Sequence, residues 1–228
     1  MPDAGLAEIE ACVFDAYGTL FDFNSPLEAR RGRLGDAPDR FAELWRRKQL
    51  EYSWLRSLMG RHADFWKVTG EALDYAMAAH GIDDPGLRAE LMQLYLELDA
   101  YPDAPDVVSR LKQTGYRTAI LSNGSPTMLT AAVNRAALNE AFDTVLSVEE
   151  CAIYKPHPTV YQYAADRVKT QAGHIAFLSA NAWDVAGAAA FGFKVVWVNR
   201  TGAAPENLPG APVAEIRSLE ELPALLSG

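Results

Sequence analysis

An α/β protein, with a doubly wound parallel sheet interrupted by an inserted helical block, is what this sequence predicts. Three observations carry that reading. Four short, continuously apolar runs each end in small or polar residues. Helical periodicity lies between most of them. One stretch of roughly 75 residues holds helical pattern and no strand.

The apolar runs are Ala11-Cys12-Val13-Phe14 before Asp15, Thr118-Ala119-Ile120-Leu121 before Ser122, Ile175-Ala176-Phe177-Leu178 before Ser179, and Val195-Val196-Trp197-Val198 before Asn199. Unbroken apolar runs of this length suit strands covered on both faces, as in parallel sheets. A shorter run, Thr144-Val145-Leu146, adds a fifth strand. Val107, Val108 and Leu111 before Gly115, and Tyr161, Ala164, Ala165 and Val168, repeat at helical spacing. Strands alternating with helices give right-handed crossovers and a doubly wound sheet.

The exception runs from about Asn24 to Ala100. Phe41, Leu44, Trp45, Tyr52, Leu55 and Met59 trace one helix face, and Leu87, Leu91, Leu94, Tyr95 and Leu98 another. Gly60, Gly70 and the segment Gly81-Ile82-Asp83-Asp84-Pro85 read as breaks or turns. The block is too long for one crossover. It is therefore expected to be a helical cap, residues 23–100, inserted after the first strand of a core made of residues 1–22 and 101–228. Pro102 and Pro105 mark the return.

Composition narrows the function. The chain has 228 residues, and 21 basic against 30 acidic side chains leave a net charge of −9. Generic binding to nucleic acid or to an anionic membrane is not expected of it. No apolar run reaches the roughly 18 residues of a membrane span, and MPDAGLAEIE has neither the basic nor the apolar region of a signal peptide. A cytoplasmic protein is expected. Cys12 and Cys151 form no CxxC pattern, and His62, His80, His157 and His174 show no metal spacing.

In open α/β sheets, ligands bind beyond the carboxyl ends of the strands. Here those ends carry Asp15, Ser122-Asn123, and Ser179 with Asn181 and Asp184, while Lys155-Pro156 follows the fifth strand. Each alone reads as a turn former or N-cap. Together they are more specific, because clustered buried carboxylates need a cation and Lys155 supplies one.

These residues also carry a resemblance. Asp15-Ala16-Tyr17-Gly18-Thr19-Leu20, Ile120-Leu121-Ser122-Asn123-Gly124 and Tyr154-Lys155-Pro156 resemble three motifs of the haloacid dehalogenase superfamily. Ser179-Ala180-Asn181-Ala182-Trp183-Asp184 resembles the fourth motif of its L-2-haloacid dehalogenase branch, and the stretch from Leu44 to Arg56 resembles the helix signature of that branch. The resemblance spans nearly the whole chain.

The resemblance implies a Rossmann-like core and hydrolysis of an (S)-2-haloalkanoate to an (R)-2-hydroxyalkanoate and halide. Asp15 is the nucleophile it implies, attacking C2 from behind the carbon–halogen bond to form an ester. Lys155, Asn181 and Asp184 handle the hydrolytic water, with Asp184 ionised as general base. Thr19 and Ser179 orient Asp15, and Ser122 suits the substrate carboxylate. Tyr161 supports from behind. Arg46, on charge pattern alone part of a solvated helix face, takes the halide-binding position together with Asn123. Tyr17, Leu50, Phe65, Asn123 and Trp183 surround the substrate, whereas Trp54 and Trp66 read as core. No metal or cofactor is implied.

Two departures matter. Phosphatases of the same superfamily carry Asp-x-Asp in the first motif, where this chain has Tyr17. Tyr17 serves poorly as a general acid or metal ligand, which disfavours a magnesium-dependent phosphatase. Ala180 stands where relatives often carry a second serine, predicting weaker preorganisation around Asn181. A signalling receiver module also places Asp, Ser and Lys at strand ends, but it is about half this length and has no helical insert. A homodimer is expected; the face with Leu91, Leu94 and Tyr95 is one candidate interface and equally a candidate interior of the block.

Overall fold

The computed structural model describes residues 5–23 and 27–227. Three residues at the start of the expected insert, 24–26, lie outside that range.

Strand β1 (Ala11–Phe14) is buried at every residue. It pairs in parallel with β4 (Arg117–Ser122) on one side and β6 (Ile175–Ser179) on the other. Strand β5 (Thr144–Ser147) extends the first side, and β7 (Lys194–Val198) with β8 (Ala214–Ile216) extend the second. The order is β5-β4-β1-β6-β7-β8, all parallel. The chain reverses its direction of travel across the sheet next to β1, which places a binding crevice beyond the ends of β1, β4 and β6.

Three strands escaped the sequence reading, two of them outside the six-stranded sheet. Phe21–Asp22 (β2) and Asp99–Ala100 (β3) form a two-residue antiparallel ribbon. They are too short to show periodicity, yet they bring the two connections of the helical block side by side. β8 is three residues with an exposed Glu215, so no apolar run announces it.

Between β2 and β3 lie α1 (Pro38–Met59), α2 (Phe65–Ala79) and α3 (Pro85–Leu94). Proline opens α1 and α3 at a position where no N–H is needed. Asp64 and Asp84 accept from Lys67 N and Leu87 N at the starts of α2 and α3. Gly60 ends α1 with φ of 62°, a left-handed value that glycine adopts without strain.

The buried row of α1 is Phe41, Trp45, Gln49 and Ser53, a strict i, i+4 row. Leu55 and Met59, expected on that face, are exposed, as is Leu58 at 84%. In the last turns it is the polar Arg56 and Ser57 that meet neighbours, through Glu71 and Tyr154 N, and hydrophobicity does not mark them. Gly70 is not a break either: it lies inside α2, where a Cβ would meet Arg88 Nη2 at 3.2 Å and Met92 Cε at 3.7 Å. Its role is close helix approach. Leu87, Leu91, Leu94, Tyr95 and Leu98 are all buried, so that face is interior.

The remaining helices pack the sheet: α4 (Ala104–Gln113), α5 (Pro126–Arg135), α6 (Pro158–Val168), α7 (Ala182–Phe191) and the short α8 (Leu222–Leu226). Arg200, after β7, joins the core to both connections. It donates to Thr19 O at 2.8 Å, pairs twice with Asp103 at 2.8 and 2.9 Å, and stacks 4.0 Å over the Tyr101 ring. No helix among the described residues is long and apolar enough to cross a membrane.

Candidate active site

Asp15 sits where β1 ends, its N–H held by Leu178 O of the neighbouring strand. Its carboxylate is 6% exposed and nearly saturated with donors. Oδ2 accepts from Asn181 Nδ2 at 2.8 Å, Thr19 Oγ1 at 3.1 Å and Ser179 Oγ at 3.4 Å. Oδ1 accepts from Lys155 Nζ at 3.1 Å. Three donors on one oxygen and Lys155 on the other fix the carboxylate's rotation.

Lys155 is wholly buried and bridges two acids, with its second contact 2.8 Å from Asp184 Oδ2. Burial works against its charge, but the fields of Asp15 and Asp184 prevail and hold its pKa above the ordinary lysine value. Asp184 lies in the first turn of α7, also wholly buried. Desolvation, with the charge of Asp15 adding to it, pushes its pKa up to about 6 against the opposing pull of Lys155. Tyr161 Oη donates to Asp184 Oδ1 at 2.7 Å, and burial beside that carboxylate keeps the phenol protonated.

Asn181 occupies the N-cap position of α7 but caps nothing with its side chain. Its amide is turned instead to Asp15 and to Tyr17 O at 3.2 Å. Ser179 Oγ accepts from Asn181 N at 3.1 Å, and Thr19 Oγ1 accepts from Ala180 N at 2.8 Å. Ala180 thus contributes its backbone N–H and, through its carbonyl, a bond from Trp197 Nε1. Ser122 Oγ accepts from Gly124 N at 3.1 Å, which leaves its own proton to give. Asn123 Oδ1 accepts from Lys155 N at 3.1 Å, tying the end of β4 to the loop before α6.

Helix α1 presents a second row, one position on from its buried one. From it Arg46 Nη2 donates to Asn181 Oδ1 at 3.3 Å and Trp54 Nε1 to Lys155 O at 3.2 Å, while Ser57, which continues the buried row, accepts at Oγ from Tyr154 N at 3.1 Å. Leu50 lies between Arg46 and Trp54 at the same four-residue spacing. Trp54, read from sequence as core, is half-buried and meets Trp183 edge-on with ring centres 5.5 Å apart. An aromatic residue carries no sequence mark that separates these two fates. Trp66 is half-buried and packs on the core. Lys48 pairs with Glu51 and lies 4.6 Å over the Tyr75 ring; Arg47 is exposed.

The apolar wall is Tyr17 and Phe65, stacked with centres 6.4 Å apart, with Tyr95 edge-on to Tyr17 at 5.7 Å. Tyr17 Oη is buried with no hydrogen-bond partner among the described residues. A pocket of about 320 Å³, lined in part by Tyr17, Arg46, Tyr95 and Asn181, opens beside this wall. Of the residues that sequence reading left out, Gln49 and Tyr95 stand closest to Arg46. Gln49 carried a faint signal, three positions after Arg46 on one helix; Tyr95 carried none. Among the described residues no group of three or more His, Cys, Asp or Glu is arranged to hold a metal ion.

The arrangement supplies an oriented carboxylate, a buried second carboxylate with a cation between them, and an arginine on the wall of a small pocket that Asn181 also lines. That is equipment for nucleophilic displacement followed by hydrolysis. Residues 9–192 match the family model of the haloacid dehalogenase-like hydrolases. The chain is 48% identical over 220 residues, 96% of each chain, to (S)-2-haloacid dehalogenase 1 of Pseudomonas sp. (strain CBS-3). It is 44% identical over 220 residues to (S)-2-haloacid dehalogenase 4A of Burkholderia cepacia, covering 96% of this chain and 95% of that one. The L-2-haloacid dehalogenase of Xanthobacter autotrophicus, solved with chloropropionic acid covalently bound, superposes with a TM-score of 0.88 at 39% identity, over 96% of this chain and 99% of that one. The chain belongs to the haloacid dehalogenase-like hydrolases, in the branch of the (S)-2-haloacid dehalogenases.

Proposed function

We propose that this protein converts (S)-2-haloalkanoic acids and water into (R)-2-hydroxyalkanoic acids and halide, through an ester on Asp15. The observation that carries this reading is the Asp15 carboxylate held by three donors on one oxygen and by Lys155 on the other. Such a carboxylate is fixed for back-side attack at C2. The carbon–halogen bond breaks as the Asp15 oxygen bonds to C2, which inverts the centre. Arg46 and Asn123 receive the leaving halide, and Ser122 donates to the substrate carboxylate. Tyr17, Leu50, Phe65 and Trp183 enclose the alkyl group and exclude water before the ester exists.

Asp184 then takes a proton from water, whose oxygen attacks the Asp15 carbonyl carbon. Thr19, Ser179, Asn181 and Lys155 face the charge that develops there. The C2–O bond survives, so the product keeps the inverted configuration. Tyr161 holds Asp184. The three helices between β2 and β3 act as a cap over this chemistry. The protein works in the cytoplasm as a homodimer, and the exposed Leu55, Leu58 and Met59 on α1 offer an apolar face for the second copy.

The test is halide release from (S)- and (R)-2-chloropropionate in EDTA, beside a phosphatase assay with Mg²⁺. Chloride from the (S) isomer alone, lost in Asp15→Asn, is the expected result. Phosphate release without chloride would replace this reading by the phosphatase one, against which Tyr17 in the first motif argues.

A further inference from the structure

We propose that Gln49 is a positioning residue for halide departure: it locks the Arg46 guanidinium in place without cancelling its charge. This rests on the halide role of Arg46 proposed above.

Gln49 is fully buried on α1. A buried amide must place two donor hydrogens and one acceptor oxygen, and its neighbours decide which end points where. Thr69 Oγ1 donates to Phe65 O at 2.6 Å, so toward Gln49 it acts as acceptor, taking a bond from Nε2 at 2.7 Å. Nε2 also donates to Tyr95 Oη at 2.9 Å. Both Nε2 contacts face the interior of the helical block. Oε1 is therefore left for Arg46, whose Nη1 donates to it at 2.5 Å. Tyr95 lines the same pocket as Arg46, and Nη2 reaches Asn181 Oδ1 at 3.3 Å. The guanidinium is held at the pocket wall before any substrate arrives.

Two consequences follow for the chemistry. A free arginine loses rotamer freedom when it clamps an anion, a cost Gln49 moves into folding. A neutral amide also takes a hydrogen bond from the cation and leaves its field for the halide. A carboxylate at the same place would neutralise it.

The experiment is rapid-quench single turnover with enzyme in excess over (S)-2-chloropropionate and (S)-2-bromopropionate, following halide release and hydroxyacid formation separately. Chloride concentrates more charge than bromide and depends more on a fixed cation. Gln49→Leu, which removes the lock, and Gln49→Glu, which keeps a contact but cancels charge, are each expected to slow chloride release about tenfold. Bromide release falls less, so the bromide-to-chloride ratio rises at least about threefold, while ester hydrolysis stays within about twofold. Arg46→Lys, measured alongside, is expected to move the same ratio.

Equal losses for both halides, or equal losses in both steps, overturn the proposal in favour of a structural role. If Gln49→Leu fails to fold, Thr69→Val, which deletes one anchor of the amide, must shift the ratio in the same direction; an unchanged ratio overturns the proposal. A wild-type enzyme that releases neither halide overturns the functional reading itself. A ratio moved by Arg46→Lys but by no Gln49 variant overturns the positioning role alone.

Discussion

Asp15 and Asp184 share one cation. Lys155 Nζ lies 3.1 Å from an oxygen of the first and 2.8 Å from an oxygen of the second, and it is wholly buried. Two carboxylates and one ammonium leave the cluster one negative charge in excess. The ester proposed on Asp15 would remove that excess.

The pH dependence of ester breakdown follows from this. In the free enzyme Asp184 titrates near 6, raised first by burial and further by the charge of Asp15. Once Asp15 is an ester, its contribution vanishes and Lys155 is left to Asp184 alone. The acid limb of ester hydrolysis is therefore expected below pH 6, while the free enzyme titrates near 6. Single-turnover hydrolysis of the accumulated ester from pH 4.5 to 8 checks this. A limb above pH 7 would contradict it.

Stability carries the opposite sign. Asp184 has a folded pKa above its ordinary 3.8, so its contribution is favourable below about 3.8 and is lost as pH rises through about 6. At pH 7.5 the buried charge costs up to about 3 kcal/mol. Asp184→Asn is expected to raise Tm by several degrees at pH 7.5, with the gain shrinking toward pH 4, while ester hydrolysis stops. Thermal melts at the two pH values decide it.

Lys155→Met leaves both acids buried without a counter-ion. A loss of about 3–5 kcal/mol is expected, together with loss of activity. Adding Asp184→Asn to Lys155→Met is expected to recover much of the stability and none of the activity. Denaturant unfolding of the two variants measures this.

Gly124 is held by space. A Cβ there would lie 2.6 Å from Tyr17 Oη, and Tyr17 is hemmed in by Phe65 and Tyr95. Gly124→Ala is expected to cost about 1–3 kcal/mol by overpacking and to lower kcat/KM at least about tenfold through the displaced ring. Gly124→Ala beside the double variant with Tyr17→Phe, which removes the 2.6 Å contact but leaves Cε2 at 2.9 Å and so recovers only part of the loss, is the check.

Arg200 holds Thr19 O and Asp103 at once. Arg200→Lys is expected to keep part of the Asp103 pairing but lose the Thr19 contact. Tm then falls less than in Arg200→Ala, whose loss is about 2 kcal/mol, while kcat falls alike in both. Tm and kcat measured on the pair separate fold from positioning.

The sheet was legible because its strands are buried on both faces, which writes apolar runs such as Ile175–Leu178 directly into the chain. The candidate reacting groups could be singled out because they stand at the ends of those runs, where the structure brings Asp15, Ser179, Asn181 and Asp184 together with Lys155. What escaped was held by contacts between distant segments. The β2–β3 ribbon is two residues long on each side. Gly70 looks like a helix break until Arg88 and Met92 are seen against it. Trp54 reads as core until its indole meets Lys155 O. Arg46 shows only a charged helix face until Gln49, Tyr95 and Asn181 are placed around it.

The central claim is that the oxygen entering the product comes from Asp15. One turnover of (S)-2-chloropropionate in H₂¹⁸O, with enzyme in excess, tests it most directly. The account predicts an unlabelled hydroxyl in the (R)-2-hydroxypropionate and ¹⁸O in the Asp15 carboxylate, read by mass spectrometry of the peptide that contains it. An ¹⁸O-labelled hydroxyl with unlabelled Asp15 would mean that water attacks C2 directly, and the ester mechanism would be wrong.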